Sequence, residues 1–272
     1  MSHADDYVLG RGLPDSIRLD AQHLLWTMHL DHVLHPDIPL RENMKIADVG
    51  CGSAIWLLDL SRCLPRSAQL HGYDISDSLF PPRSSWPENM SLTLLDALED
   101  PPESLVGQYD VVHLRMWVSN LRQGARNVNT LIRNVKRMLK PDGYVQWEEA
   151  DLKRQVVHPE SLKVYETELR AVFQASGIDH RTLSASLQRK QFSIIKAEHD
   201  VFQRITSQLC TKTYLLAIQE ILGGIRGMQN GIEDREQLAT RGEGALAKLK
   251  LEFSKGLVYN WGPVSILAQL ST

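Results

Sequence analysis

From about residue 44 onward, short apolar runs alternate with stretches whose apolar positions recur every three or four residues. Met44–Val49, Gln69–Tyr73, Met90–Leu95, Tyr109–Leu114 and Tyr144–Trp147 read as strands, and Ala54–Cys63 as a helix between the first two. In Asn127–Leu139 the apolar residues Val128, Leu131, Ile132, Val135, Met138 and Leu139 form one stripe of a helix, which Lys140-Pro141-Asp142-Gly143 ends. Short strands separated by helical patterns predict a mostly parallel sheet with helices wound on its faces.

The flanks carry a different pattern. Residues 15 to 34 place Ile17, Leu19, Leu24, Leu25, Met28 and Leu30 at helical spacing, with Asp15 or Ser16 as cap, and predict a helix ahead of the sheet that serves as a lid. Beyond Glu149 the chain reads as helical over Ser161–Ser176, Thr213–Ile225 and Glu233–Lys255, with a strand near Ile194–Val201 and a last one at Val264–Leu270. The glycines in Leu222–Gly227 and Arg241–Gly244 weaken the helix assignment there. The 272 residues are therefore expected to form one domain: a helical lid over 1–40, a core over 44–149, and a helical cap with the last strands over 150–272.

Composition narrows the function without choosing it. With 43% hydrophobic and 23% charged residues, the chain is neither disordered nor fibrous. Its 30 bases against 33 acids leave −3, no electrostatic footprint for nucleic acid or an anionic membrane, so the expected partner is a small molecule. The basic stretch Arg133–Lys140 is the polar face of a helix. Cys51, Cys63 and Cys210 are too few and too irregular for a disulfide framework or a metal site and read as reduced thiols. With no signal-like segment and no run of roughly 18 apolar residues, the expected setting is the cytoplasm. Oligomeric state leaves no trace in the sequence.

The chemistry concentrates where Ile46-Ala47-Asp48-Val49 runs into Gly50-Cys51-Gly52-Ser53-Ala54. Glycines at 50 and 52 let the chain turn sharply at the carboxyl end of a strand, where open α/β sheets bind ligands. Asp74 ends the second predicted strand 22 residues after Gly52, and Asp96 ends the third another 22 residues on. Each acid alone reads as a solvated loop residue; three at the ends of successive strands describe one crevice. Asp74 is placed to take both hydroxyls of a ribose, and Asp96 to accept from an exocyclic amine of adenine. Ala54 stands where a dinucleotide site needs its third glycine, and Asp48 repels a pyrophosphate while attracting a cationic centre. A nicotinamide-dependent reductase is disfavoured on that ground.

This pattern resembles the class I S-adenosylmethionine-dependent methyltransferases, over roughly residues 44 to 149 with a last strand near the C-terminus. The flanking segments Tyr7-Val8-Leu9, Asp15-Ser16-Ile17-Arg18-Leu19-Asp20-Ala21-Gln22-His23, Tyr73-Asp74-Ile75-Ser76 and Tyr109-Asp110-Val111-Val112-His113-Leu114-Arg115 are similar to the fungal LaeA-like (UMTA) group. Within that group the chain is similar to the N-methyltransferases of gliotoxin-type epidithiodiketopiperazine clusters. Where the group reads Gly-Thr-Gly-Thr-Gly, this chain reads Gly50-Cys51-Gly52-Ser53-Ala54. The resemblance implies a Rossmann-like sheet with an N-terminal helical lid and a helical insertion before the last strand, and S-adenosylmethionine as cofactor. It implies methyl transfer to a nitrogen or oxygen of a secondary metabolite.

The resemblance also assigns roles. Asp48, Gly50 and Gly52 are expected at the methionine half of the cofactor, Asp74 and Ile75 at the ribose and one adenine face, and Asp96 and Ala97 at the adenine edge. His113 is expected beneath the cofactor, and Tyr7 and Arg18 in a lid over the methionine carboxylate, which a guanidinium binds bidentately. Methyl transfer needs a base only where the acceptor is protonated; His23 on the lid is the candidate, against a role in fitting the lid. Trp26, Met116, Trp117 and Trp147 are candidate walls of an apolar acceptor site, or core. Glu148 and Glu149 are expected to end the fifth strand facing the crevice. Two other readings keep the fold: a LaeA-like regulatory or scaffolding protein, and a cofactor-retaining cyclase that transfers no methyl group.

Overall fold

The computed structural model describes residues 10–117, 125–174, 183–227 and 232–271. Helix α1 (Leu13–Leu30) leads into β1 (Lys45–Val49), α2 (Ile55–Leu60), β2 (Gln69–Asp74), β3 (Met90–Leu94) and β4 (Tyr109–Arg115). There follow α3 (Ala125–Met138), β5 (Leu139–His158), α4 (Lys163–Gln174), α5 (Leu183–Arg189), β6 (Phe192–His199), α6 (Arg204–Gly227), α7 (Ile232–Phe253) and β7 (Val258–Leu270). The seven strands form one sheet in the order β3-β2-β1-β4-β5-β7-β6, parallel through β5, with β7 antiparallel to both of its neighbours.

Local chemistry accounts for these elements. Pro14 lies in the first turn of α1, the Asp15 carboxylate accepts the Gly12 N–H at 2.6 Å, and Asp31 closes the helix in the left-handed region at φ 59°. The stripe expected on α3 is buried, while its other face pairs Arg133 and Arg137 with Asp100. One side of the sheet packs Ile46, Val111 and Leu267 against Trp56, Leu57 and Leu60 of α2. The other packs Val49, Val112, Leu114 and Trp147 against α3 and the C-terminal helices. No helix among the described residues is long and apolar enough to cross a membrane.

The predicted elements are present, with three differences. β5 does not end at Trp147–Glu149 but runs to His158, because β7 starts at Val258 and pairs with it from Tyr144↔Gln269 to His158↔Val258. Glu148 and Glu149 are therefore buried inside a ribbon rather than facing an opening. The helix expected at Thr213 begins at Arg204, and the segments around Gly223 and Gly244 stay helical. Burial of Leu215, Ile218 and Leu222 on α6 and of Leu246 and Leu249 on α7 outweighs the roughly 1 kcal/mol glycine cost. The short α5 fell outside the sequence-based expectation.

Candidate active site

The glycine turn joins the carboxyl end of β1 to α2. Gly50 and Gly52 adopt φ of 79° and 52°, and the N–H groups of Gly50 and Cys51 both donate to the Tyr73 carbonyl at 2.7 and 3.0 Å. Trp117 lies against Gly50 and donates its indole N–H to the Val49 carbonyl at 3.0 Å, and Leu19 of α1 lies against Gly52. Ser53 Oγ donates to Asp20 at 2.8 Å, a further link between the turn and α1.

Asp74, at the end of β2, accepts the Gly52 N–H at 2.8 Å through Oδ2 and the Ser76 N–H at 3.2 Å through Oδ1. Burial raises its pKa, and those two N–H donors and the nearby Arg11 charge pull it back. Beside it Ile75 is 53% exposed, a large apolar side chain left in the open next to a carboxylate. Asp96 follows β3, one strand further out, and accepts the Leu98 N–H at 2.9 Å; the next residue, Ala97, packs on the larger core cluster. The sheet thus brings Asp74, Ile75, Asp96 and Ala97 to the ends of two adjacent strands beside the glycine turn.

Asp48 and His113 lie deeper than expected. Asp48 is buried on β1 and accepts from His113 Nδ1 at 2.7 Å, while His113 Nε2 donates to Glu148 Oε2 at 3.1 Å. A ring that serves two carboxylates must carry both protons. Burial alone lowers the His113 pKa, but the Asp48 and Glu148 charges more than reverse this and raise it. Trp56 stacks on the ring at 3.9 Å with planes 1° apart, a cation–π geometry. His113 is therefore a buried support of Asp48, not a lining residue.

The chain of polar groups continues outward. Arg115 Nε donates to Glu148 Oε2 at 2.5 Å, Gln146 donates to Glu148 Oε1 at 2.6 Å, and Arg115 Nη1 donates to His23 Nδ1 at 3.0 Å. Burial opposes the Glu148 charge, yet Arg115 and His113 hold its carboxyl well below the usual range. His23 Nε2 donates to Asp59 Oδ2 at 3.0 Å. Burial and then the Arg115 guanidinium lower the His23 pKa. The ring is thus neutral, its lone pair engaged by Arg115 and its proton by Asp59. This arrangement does not support the expected base role: no nitrogen is left to take a proton from an acceptor.

Other expectations separate. Arg18 is buried, and its Nε donates to Glu220 Oε1 and Oε2 on α6 at 2.8 and 2.9 Å and its Nη1 to Gln22 at 3.0 Å. It ties α1 to α6 rather than holding a carboxylate above the turn. Tyr7 lies outside the described residues. Of the expected walls, Trp117 and the half-buried Met116, at φ 54°, stand at the glycine turn and the end of β4. Trp26 is fully buried against Trp261 and Phe202, at centroid distances of 5.5 and 6.2 Å, and Trp147 is buried in the core with its N–H on Glu149. These two are core residues: Trp261 of β7 and Phe202 pack on Trp26, and Trp147 lies on β5 opposite Ile266 of β7. Sequence reasoning missed Arg115 and Asp59. Arg115 closes an apolar strand with a charge, which was the available signal; Asp59 has none, since its partner lies 36 residues away.

A family profile described as a methyltransferase domain matches residues 29–196. Methyltransferase grgD of Penicillium sp is 37% identical over 153 residues, 53% of this chain and 52% of that protein. N-methyltransferase tcpN of Claviceps purpurea (strain 20.1) is 34% identical over 112 residues, 41% of this chain and 40% of that one. The chain thus spans about half the length of these curated relatives, or less. Among solved structures, Haemonchus contortus phosphoethanolamine N-methyltransferase 2 in complex with S-adenosyl-L-methionine superposes with a TM-score of 0.51 at 14% identity, covering 92% of this chain and 52% of that one. That likeness is one of fold.

Proposed function

Because this chain belongs to the methyltransferase-domain family, matched over residues 29–196, we propose that it transfers a methyl group from S-adenosylmethionine to a nitrogen of a small natural product. The observation that carries this reading is Asp74: a carboxylate at the end of β2, fixed by the Gly52 N–H, with Ile75 exposed beside it and Asp96 just past the end of the next strand. Carboxylate acceptors beside an exposed apolar side chain suit a nucleoside, whose ribose hydroxyls donate to the carboxylate and whose purine the apolar side chain covers. Its carboxylates, Asp48 included, suit a ligand whose other end is cationic, and suit a pyrophosphate poorly.

In this reading Asp74 takes the ribose hydroxyls, Ile75 and Ala97 cover the adenine, and Asp96 meets its amino edge. Gly50 and Gly52 give the turn beneath the methionine half its positive φ and make room for Trp117 and Leu19, and Asp48 supplies negative charge from beneath the turn. The cofactor supplies a methyl group already activated on a sulfonium. What remains for the protein is alignment and exclusion of water. Trp117 and Met116 at the end of β4 form the floor on which an acceptor is aligned. With His23 engaged at both ring nitrogens, the acceptor is taken up in a form that needs no proton removed before attack, such as a neutral amine. Nitrogen is preferred over oxygen because tcpN carries the name N-methyltransferase.

Calorimetric titration with S-adenosylmethionine and S-adenosylhomocysteine, with NADH as control, tests the reading. Binding of both sulfur nucleosides and not NADH is expected, followed by a one-methyl mass gain in an amine-bearing acceptor. Absence of nucleoside binding would overturn it and favour a partner-binding role for the fold. Binding with product formation but no mass gain would favour the cyclase reading.

A further inference from the structure

The polar groups that run inward from α1 do not stop at the lid contact. Asp59, His23, Arg115, Glu148, His113 and Asp48 follow one another through hydrogen bonds of 3.0, 3.0, 2.5, 3.1 and 2.7 Å, and belong in turn to α2, α1, β4, β5, β4 and β1. Asp48, His113 and Glu148 are almost wholly buried, and Arg115 is 14% exposed in its side chain. In such an interior a charge is tolerated only while its partner stays in place, so a change at one link alters the balance at the next. The outer end of this chain is the contact of the lid helix α1 with Asp59 of α2. The inner end is the carboxylate under the glycine turn.

We propose that His113 and Arg115 are positioning residues that couple the docking of α1 to the charge beneath the glycine turn, so that the lid is held most tightly when Asp48 is neutralised by a cationic ligand group. None of the hydrogen bonds of His113 goes to α1; its influence on the lid passes through Glu148 and Arg115. The groups facing the His113 ring are Asp48 from β1, Glu148 from β5 and, beyond Arg115 on its own strand, His23 from α1; Trp56 from α2 covers its face. A cation beside Asp48 draws part of that carboxylate's charge away from His113. The imidazolium then leans on Glu148, and Arg115 is released toward His23. Coupling of this kind is reciprocal: whatever tightens the lid also tightens the ligand. The lid half of the proposal stands by itself, and only the identity of the cation rests on the proposed function.

Amide hydrogen exchange along α1, with α3 as internal reference, reads the coupling. In the unliganded protein, His113→Gln and Arg115→Gln are each expected to speed exchange in α1 by about tenfold, the scale of one charged hydrogen bond, while α3 is unchanged. S-adenosylhomocysteine, which keeps the ammonium group, is expected to slow α1 exchange in the wild type and not in Arg115→Gln. Should His113→Gln fail to fold, Arg115→Gln and Arg115→Lys carry the test, with Lys restoring part of the protection. Ring nitrogen chemical shifts of the wild type at neutral pH provide a check without substitution: both His113 nitrogens protonated, and His23 protonated at Nε2 alone. Unchanged α1 exchange in the Arg115 variants, equal acceleration in α1 and α3, or a neutral His113 would each overturn the coupling. If S-adenosylhomocysteine does not bind the wild type, the proposed function fails while the unliganded arms still decide the relay.

Discussion

Asp48 on β1 and His113 on β4 are register partners, and a 2.7 Å hydrogen bond joins their side chains on the buried side of the sheet. A parallel sheet covered on both faces ordinarily carries apolar side chains at such positions. Here the pair is retained because Glu148, one strand further on, closes the other side of the ring.

The first expectation is a pH dependence of stability. The folded pKa of His113 lies above its unfolded value near 6.5, so its contribution is fully present below about pH 6.5 and is lost as pH rises through the folded pKa. Denaturant melts of wild type and His113→Gln across that range should converge at alkaline pH. A constant gap would show that the ring is not held cationic.

Asp74→Ala is expected to weaken S-adenosylmethionine binding by about 1.5–3 kcal/mol, the range for hydrogen bonds to charged groups, because it removes the proposed ribose acceptor and frees the Gly52 N–H. Calorimetry reads the change, and undiminished affinity would remove Asp74 from the site.

Ala54 sits at φ 58° ahead of α2, a conformation that costs a non-glycine residue about 1–2 kcal/mol. Its buried methyl group returns about 0.8 kcal/mol. Ala54→Gly should therefore be neutral or stabilising by up to about 1 kcal/mol, against the usual sign for this exchange. A loss above about 1 kcal/mol in a urea melt would mean that packing, not backbone strain, governs the turn.

Trp26→Ala should cost about 3–5 kcal/mol of stability, as for any large aromatic removed from a core. A loss under about 1 kcal/mol, coupled with impaired acceptor turnover, would return Trp26 to the acceptor wall.

Glu220 is expected to titrate at about 7: burial raises its pKa against the Arg18 charge, and the neighbouring Asp15 adds to the rise. Its native form holds a proton that the unfolded chain releases near pH 4.5, so its contribution to stability declines as pH rises from about 4.5 to about 7. Carboxyl carbon shifts followed against pH provide the check. A midpoint near the ordinary value would mean a plain ion pair between α1 and α6.

The strands, helix α1, α3 and the glycine turn were legible because their cause is local. Apolar runs of four to six residues, a 3.6-residue stripe, and glycines at 50 and 52 act within one element, wherever the rest of the chain goes. The placement of Asp74 and Asp96 was legible for a related reason: in a parallel sheet the ends of successive strands arrive at the same edge, so position along the chain becomes position at that edge, whereas Ile75 and Ala97 entered only through the family resemblance.

The partners of charged and aromatic side chains were not legible. Arg18 meets Glu220 across 202 residues, and His113 meets Asp48 and Glu148 across 65 and 35. Which face β5 presents, and how far it runs, depends on β7 arriving antiparallel beside it, which buried Glu148, Glu149 and Trp147 at one stroke. Periodicity gives which residues share a face; only the folded chain decides what that face meets, because an ion's stability is set by partners and burial, and these come from distant segments brought together by the sheet.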